Sequence, residues 1–284
     1  MTRWILLICK HSDLLEQGYS PLSELHLKTR KIILTAGKML KETIGDSDKI
    51  SVRTKSTDSD LVTQLDTEIE NFLKEELSRI LPGSVFLAEE TDPKLKDTEK
   101  LWIIDPIDGT TNFVHGFPFV AISVALQISG ELTHGFVYNP FMNEFFAATR
   151  NEGSFLNGKC IRVSKVQRLS EALLATGFAY NFKTASENNI RFFEHFQSKC
   201  HGIRRPGSAA LDLCYVAKGV FDGFWEWYLN PWDVAAGILI VEEAGGKITD
   251  LYGIDHLFTS DNILVTNSAL HNQMLQEFNE LLIK

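Results

Sequence analysis

Paired cysteines are missing from this chain. Its four cysteines, Cys9, Cys160, Cys200 and Cys214, form no CxxC unit and no metal-like spacing with histidines. That excludes a zinc ribbon or a thioredoxin-type centre, and scattered reduced thiols in a cytoplasmic protein are the expectation. A basic excess is missing too. Against 37 Asp and Glu stand 28 Lys and Arg, a net charge of −9, so neither a nucleic-acid backbone nor an anionic membrane is an expected partner. No segment approaches the ~18 uninterrupted apolar residues of a membrane span. In "MTRWILLICK" the apolar run Trp4 to Cys9 stops at Lys10, and no small-x-small cleavage pattern follows, which speaks against a signal peptide. Residues 1–20 are expected to be a loosely attached leader or an over-called translation start. No repeat, low-complexity tract or linker divides the rest.

What is present alternates between helical and extended patterns. Ser20 and Pro21 suit the N-cap and first turn of a helix that places Leu25, Ile32, Ile33, Ala36 and Leu40 on one face, as capping chemistry favours. Ile69, Phe72, Leu73, Leu77, Ile80 and Leu81 follow a second helical period, which Pro82-Gly83 stops. "VFLA" (85–88) and "LWII" (101–104) read as buried strands, and from Phe119 to Cys160 turn signals separate strand-like pieces into an antiparallel meander. Beyond that, helices are expected near 187–199, at "SAALDLCYVAK", near 231–244 and from Ser268. Strands are expected at "GIRR", "FDGFWEW", "KITD" and "ILVT". The fold class is therefore α/β (α+β), layers of helix around two sheets. One body is expected over 21–284, with sub-halves of approximately 21–160 and 161–284.

Acidic residues stand where apolar runs end. Glu89 and Glu90 follow "VFLA", Asp105 and Asp108 follow "LWII", Asp66 closes "DLVTQL", and Asp233 follows Pro231-Trp232. Taken singly, an Asp-Gly after an apolar run is an ordinary turn, and a Glu-Glu pair is a solvated loop. Three acidic strand ends close in sequence point instead to a shared cation. Oxygen donors without histidine favour a hard ion, Mg²⁺, which takes one or two carboxylates and shares substrate phosphate oxygens. Two aspartates three apart could bridge two such ions for in-line phosphoryl displacement. "DGTTNF" opens a short helix whose first N–H groups, at Gly109 and Thr110, would face a phosphate.

These motifs resemble the inositol monophosphatase family of magnesium-dependent, lithium-sensitive phosphatases. "WIIDPIDGTTNFVHGFP" (102–118) and "WDVAAGILIVEEAGG" (232–246) carry the resemblance. "KSTDSDLVTQLD", "AEE" and "RRPGSAALDLCYVAKGVFDGFWE" support it in order, over roughly residues 22–284. The resemblance implies a five-layer α-β-α-β-α sandwich and hydrolysis of myo-inositol monophosphate by a metal-activated water. It implies one Mg²⁺ on Glu89, Asp105 and the Ile107 carbonyl, a second on Asp105, Asp108 and Asp233, and in some members a third near Glu89 and Asp66. Thr110 and Asp66 would orient the attacking water, with Glu89 and Asp105 completing the catalytic set. Gly109 and Thr110 would bind phosphate, while Asp108, Gly207, Ser208, Ala209 and Glu226 would face the ring hydroxyls. Expected partners are a small phosphate ester and a second copy of the chain. Rival substrates are fructose 1,6-bisphosphate, 3′-phosphoadenosine 5′-phosphate, NADP and histidinol phosphate, although "TNFVHGFP" is unlike the loop of the nucleotide-directed branch. A rival from another class is a regulatory binding protein that retains the fold.

Four further features weigh less. His115 reads as structural, since metal-bound water needs no imidazole base. Arg204-Arg205 suits a phosphate clamp or a sheet or subunit contact equally. Trp225 and Trp227 flank Glu226 but read as core by alternation, and Lys55 sits in a loop that a solvated charge explains.

Overall fold

The computed structural model describes residues 24–43, 52–54, 61–91, 94, 98–179, 189–255 and 260–282. The leader, Ser20-Pro21 and Lys55 therefore lie outside the described residues. Helices α1 (Glu24–Thr43) and α2 (Gln64–Ile80) frame a short antiparallel pair, β1 (Val52–Thr54) and β2 (Leu61–Thr63). Asp66, expected at the end of a strand, lies instead in the first turn of α2, where a carboxylate meets the positive end of the helix. Strands β3 (Val85–Ala88) and β4 (Lys100–Asp108), helix α3 (Thr110–Val114) and strands β5 (Ala121–Ile128) to β9 (Lys159–Cys160) follow. Between those last two run β6 (Glu131–Asn139), β7 (Glu144–Thr149) and β8 (Gly153–Leu156). All of β3 to β9 form one seven-stranded sheet in sequence order, with only the β3–β4 pair parallel. The meander expected from Phe119 to Cys160 is four of its antiparallel hairpin steps.

The second sheet has the order β11-β10-β12-β14-β13. Its strands are β10 (Leu173–Thr176), β11 (Gly202–Arg204), β12 (Gly223–Trp227), β13 (Lys247–Thr249) and β14 (Asn262–Thr266), interleaved with α4 (Ile190–Gln197), α5 (Ala209–Ala217), α6 (Pro231–Glu243) and α7 (His271–Leu282). Strand β10, within "EALLATG", escapes the periodicity reading because four residues flanked by coil carry no alternation to detect.

Three apolar cores define the layers. Ile33, Leu40, Ile69 and Leu73 of α1 and α2 meet Trp102, Ile104 and Phe136 on one face of the first sheet. Leu101, Ile103 and Val137 of its other face meet α5 and α6, which also receive Phe224 and Val265 of the second sheet. Trp225, Trp227, Phe192, Phe196 and Phe278 then close the outer side with α4 and α7. The layers run α-β-α-β-α, as the resemblance implied. α6 carries Trp232, Val234, Ala235, Ala236, Ile238, Leu239 and Ile240, buried around most of its circumference, as a helix between two sheets must be. Cys200 and Cys214 are free thiols, Cys214 fully buried.

Candidate active site

Strand β4 carries the central carboxylates through a local irregularity. In a regular strand, residues three apart point to opposite faces. Here Asp105 pairs with Ser123 and Asp108 with Ala121, so β4 spends three residues where β5 spends two. Pro106, with no N–H to give the ladder, suits that bulge. The extra residue turns both aspartates into one cleft of about 130 Å³. Immediately after, Gly109 takes φ 95° and caps α3, which brings Thr110 to the same wall.

Each remaining carboxylate arrives from a different element. Glu89 follows β3 in a turn held from behind by the buried Glu70 of α2, which accepts from the N–H groups of Glu90 (2.8 Å) and Thr91 (3.1 Å). Asp233 stands in the first turn of α6, its Oδ2 accepting from the Asn230 N–H at 2.6 Å. That turn is pinned to the sheet by Ser123, the cross-strand partner of Asp105, whose hydroxyl donates to the Trp232 carbonyl at 3.2 Å. Glu226 enters from β12. Glu89, Asp105, Ile107, Asp108, Gly109, Thr110, Gly207, Ser208, Ala209, Glu226 and Asp233 all line this one cleft. Asp66 does not. It is fully buried behind the wall, where its Oδ1 accepts from the Thr110 hydroxyl at 3.3 Å, while the Ile107 carbonyl lies 3.0 Å from the same hydroxyl.

The electrostatics ask for a cation. Burial, and then the Glu89 charge, push Asp108 up to about 6 against the donors Ser208 and Ala210. Asp233 is driven well above its ordinary range by burial, Glu89 and Asp108 together. Glu226 rises to about 8 through burial, opposed by Arg205. Among the described residues, no three His, Cys, Asp or Glu groups are arranged to hold an ion as they stand. Their oxygens turn to protein donors instead: Asp108 Oδ2 accepts from the Ser208 hydroxyl (2.6 Å) and the Ala210 N–H (2.7 Å), and Asp105 Oδ1 from the Ile107 N–H (2.9 Å). A hard divalent ion still fits the donor set. It is all oxygen, it converges from β3, β4 and α6, and burial together with neighbouring negative charge raises Asp108 and Asp233.

Several cleft residues had no signal in the one-dimensional pattern. Asn112 donates to the Phe119 (2.8 Å) and Pro206 (2.8 Å) carbonyls, tying α3 to the loop before α5. Gly177, just after β10, is so close to Glu226 that an added Cβ would lie 2.1 Å from its Oε2. Asp212, 1% exposed, also lines the cleft. Of the paired arginines, Arg205 faces the cleft and Arg204 does not. His115 is exposed and off the cleft, and Trp225 and Trp227 are outer core.

Comparison with known proteins places the chain in a family. Residues 22–282 match the inositol monophosphatase family. An inositol-1-monophosphatase of Caulobacter vibrioides is 41% identical over 246 residues, 85% of this chain and 95% of the relative. A putative Nus factor SuhB of Neisseria meningitidis is 41% identical over 242 residues, 85% of this chain and 92% of the relative. The crystal structure of a Thermotoga maritima IMPase superposes with a TM-score of 0.81 at 37% identity, covering 89% of this chain and 95% of that one. The chain belongs to the inositol monophosphatase family.

Proposed function

We propose that the chain is a phosphomonoesterase that uses Mg²⁺ to release inorganic phosphate from myo-inositol monophosphate. The observation that carries the reading is the convergence of Glu89, Asp105, Asp108 and Asp233 beside the Thr110–Asp66 pair. Glu89, Asp105 and the Ile107 carbonyl would hold one ion, and Asp105, Asp108 and Asp233 a second. Bound there, magnesium lowers the pKa of a water and neutralises charge on the phosphoryl oxygens.

The protein groups do the positioning. With its proton directed to Asp66 or to the Ile107 carbonyl, the Thr110 hydroxyl is left as an acceptor for the proton of the attacking water. Ser208 and the Ala210 N–H hold Asp108 Oδ2, which leaves Oδ1 to meet a cation. Glu226, with Gly207, Ser208 and Ala209 at the start of α5, would face the hydroxyls of the leaving alcohol, and Gly109 and Thr110 the phosphate. Family similarity supports a cytoplasmic homodimer, and each chain would divide into sub-halves of approximately 21–160 and 161–284.

The purified chain should hydrolyse myo-inositol 1-phosphate with added Mg²⁺ and stop in excess chelator. Full activity in chelator would overturn the reading. A panel with fructose 1,6-bisphosphate, 3′-phosphoadenosine 5′-phosphate, NADP and histidinol phosphate ranks the rival esters. Relatives bearing the name Nus factor SuhB favour one second reading, a regulatory binding role on the same fold. Absence of turnover on every ester would support that role alone.

A further inference from the structure

Among the described residues, seven that are not glycine have positive φ. Six are serine or asparagine, and the seventh is Tyr228 at φ 61°. Short polar side chains tolerate the left-handed region because they bond locally, whereas a bulky ring there is a true outlier. Its place is telling. Tyr228 directly follows β12, two residues after Glu226 and five before Asp233, and it lines the cleft between them. It is half-buried. Its N–H donates to the Asp261 carbonyl at 2.6 Å, and its ring lies 6.0 Å from that of Trp227, tilted by 43°. Phe178, just past the end of the neighbouring strand β10, lines the same cleft.

The turn itself does not need an aromatic residue. Glycine or asparagine would take the left-handed position with less strain, and Trp227 is already buried in the outer core. Strain kept at a cleft wall points to a use for the side chain. Glu226 offers a hydrogen-bonding edge, and Tyr228 and Phe178 offer apolar surface beside it. That combination suits a molecule with hydroxyls on its rim and C–H bonds on its face.

Resting on the phosphatase reading above, we propose that Tyr228 is a specificity-determining residue whose ring, with Phe178, packs on the face of a cyclic polyol leaving group and so selects cyclic over open-chain phosphate esters. The test uses the full chain with saturating Mg²⁺ and compares myo-inositol 1-phosphate with glycerol 2-phosphate. Tyr228→Gly should lower kcat/KM on the cyclic ester by about five- to tenfold, mainly through KM, with the open-chain ester unchanged within about twofold. Its Tm should hold or rise, because the strain is relieved. Tyr228→Phe should behave as the unsubstituted chain, since the ring and not the hydroxyl is invoked. Tyr228→Asn carries the same comparison if the glycine variant fails to fold. Equal losses on both esters, no loss on the cyclic one, or a Phe variant as impaired as the Gly variant would each overturn the proposal. An unsubstituted chain inactive on both esters would overturn the phosphatase reading and this proposal with it. Activity without dependence on Tyr228 would overturn this proposal alone.

Discussion

Thr110 and Asp66 stand 44 positions apart in sequence yet share one buried hydrogen bond. If they act as one relay, Thr110→Ala and Asp66→Asn should each cut kcat by about 10²–10⁴-fold, and the double variant should lose little more than either alone. A double-mutant cycle on kcat at saturating Mg²⁺ decides it. Multiplying losses would separate the pair. Asp212 poses a different problem. Its Oδ1 has no hydrogen-bond partner among the described residues, and burial together with the Glu226 and Asp108 charges raises its pKa well above the usual carboxyl range. A carboxyl with a raised folded pKa binds more protons folded than unfolded, so it costs stability as pH rises above about 4. Asp212→Asn should therefore stabilise the metal-free protein at neutral pH, by about 1 kcal/mol or more. The gain should fade toward pH 4, and thermal melts across that range would show it. A pH-independent change would mean that the carboxyl titrates normally.

Elements meet the cleft at distances set by small residues. Gly135 of β6 lies under α6, and a Cβ there would sit 2.7 Å from the Ala236 carbonyl oxygen. Gly135→Val should push the helix from the sheet and cost about 1–3 kcal/mol through overpacking. Because the first turn of the same helix carries Asp233, a displacement of about 1 Å should also lower kcat by about 10²-fold. Loss of stability with full activity would show that α6 tilts about its N-terminus and leaves Asp233 in place. The bulge in β4 has the same standing. The apolar run "LWII" announces the strand, but its continuation through Pro106 to Asp108 rests on pairing with β5.

At the scale of the whole molecule, six carboxylates, Glu89, Asp105, Asp108, Asp212, Glu226 and Asp233, line one cleft where two sheets and a helix end meet. Asp108 at about 6 and Glu226 at about 8 are both raised acids, so without metal the fold loses stability as pH climbs through those values. A cation held by ionised Asp108, and close enough to favour ionised Glu226, offsets that loss. Added Mg²⁺ should raise Tm more at pH 8 than at pH 5. An equal rise at both would place the ion away from these carboxylates. Family membership leads us to expect Li⁺ inhibition as well, and inhibition simply competitive with substrate would count against occupation of the Asp105, Asp108 and Asp233 site after hydrolysis.

Helical period in α2, turn signals in the meander and acidic ends on apolar runs are local properties, written in neighbouring residues. For that reason the layers and the metal-ligand candidates were legible in the chain alone. The resemblance of whole motifs added the roles of Asp66, Thr110 and Glu226. Long-range facts were not legible. Asp66 belongs to a helix and meets the cleft wall from behind, at Thr110. Asn112, Gly177, Asp212 and Tyr228 line the site because helices and strand ends more than a hundred positions apart in sequence converge there. Composition and spacing determined which chemistry the chain can perform, since ligand type and local period depend on neighbours. Which carboxylates share one cleft, and which of them lack a partner, was decided only by tertiary packing, because burial and mutual repulsion depend on distance in space rather than along the chain.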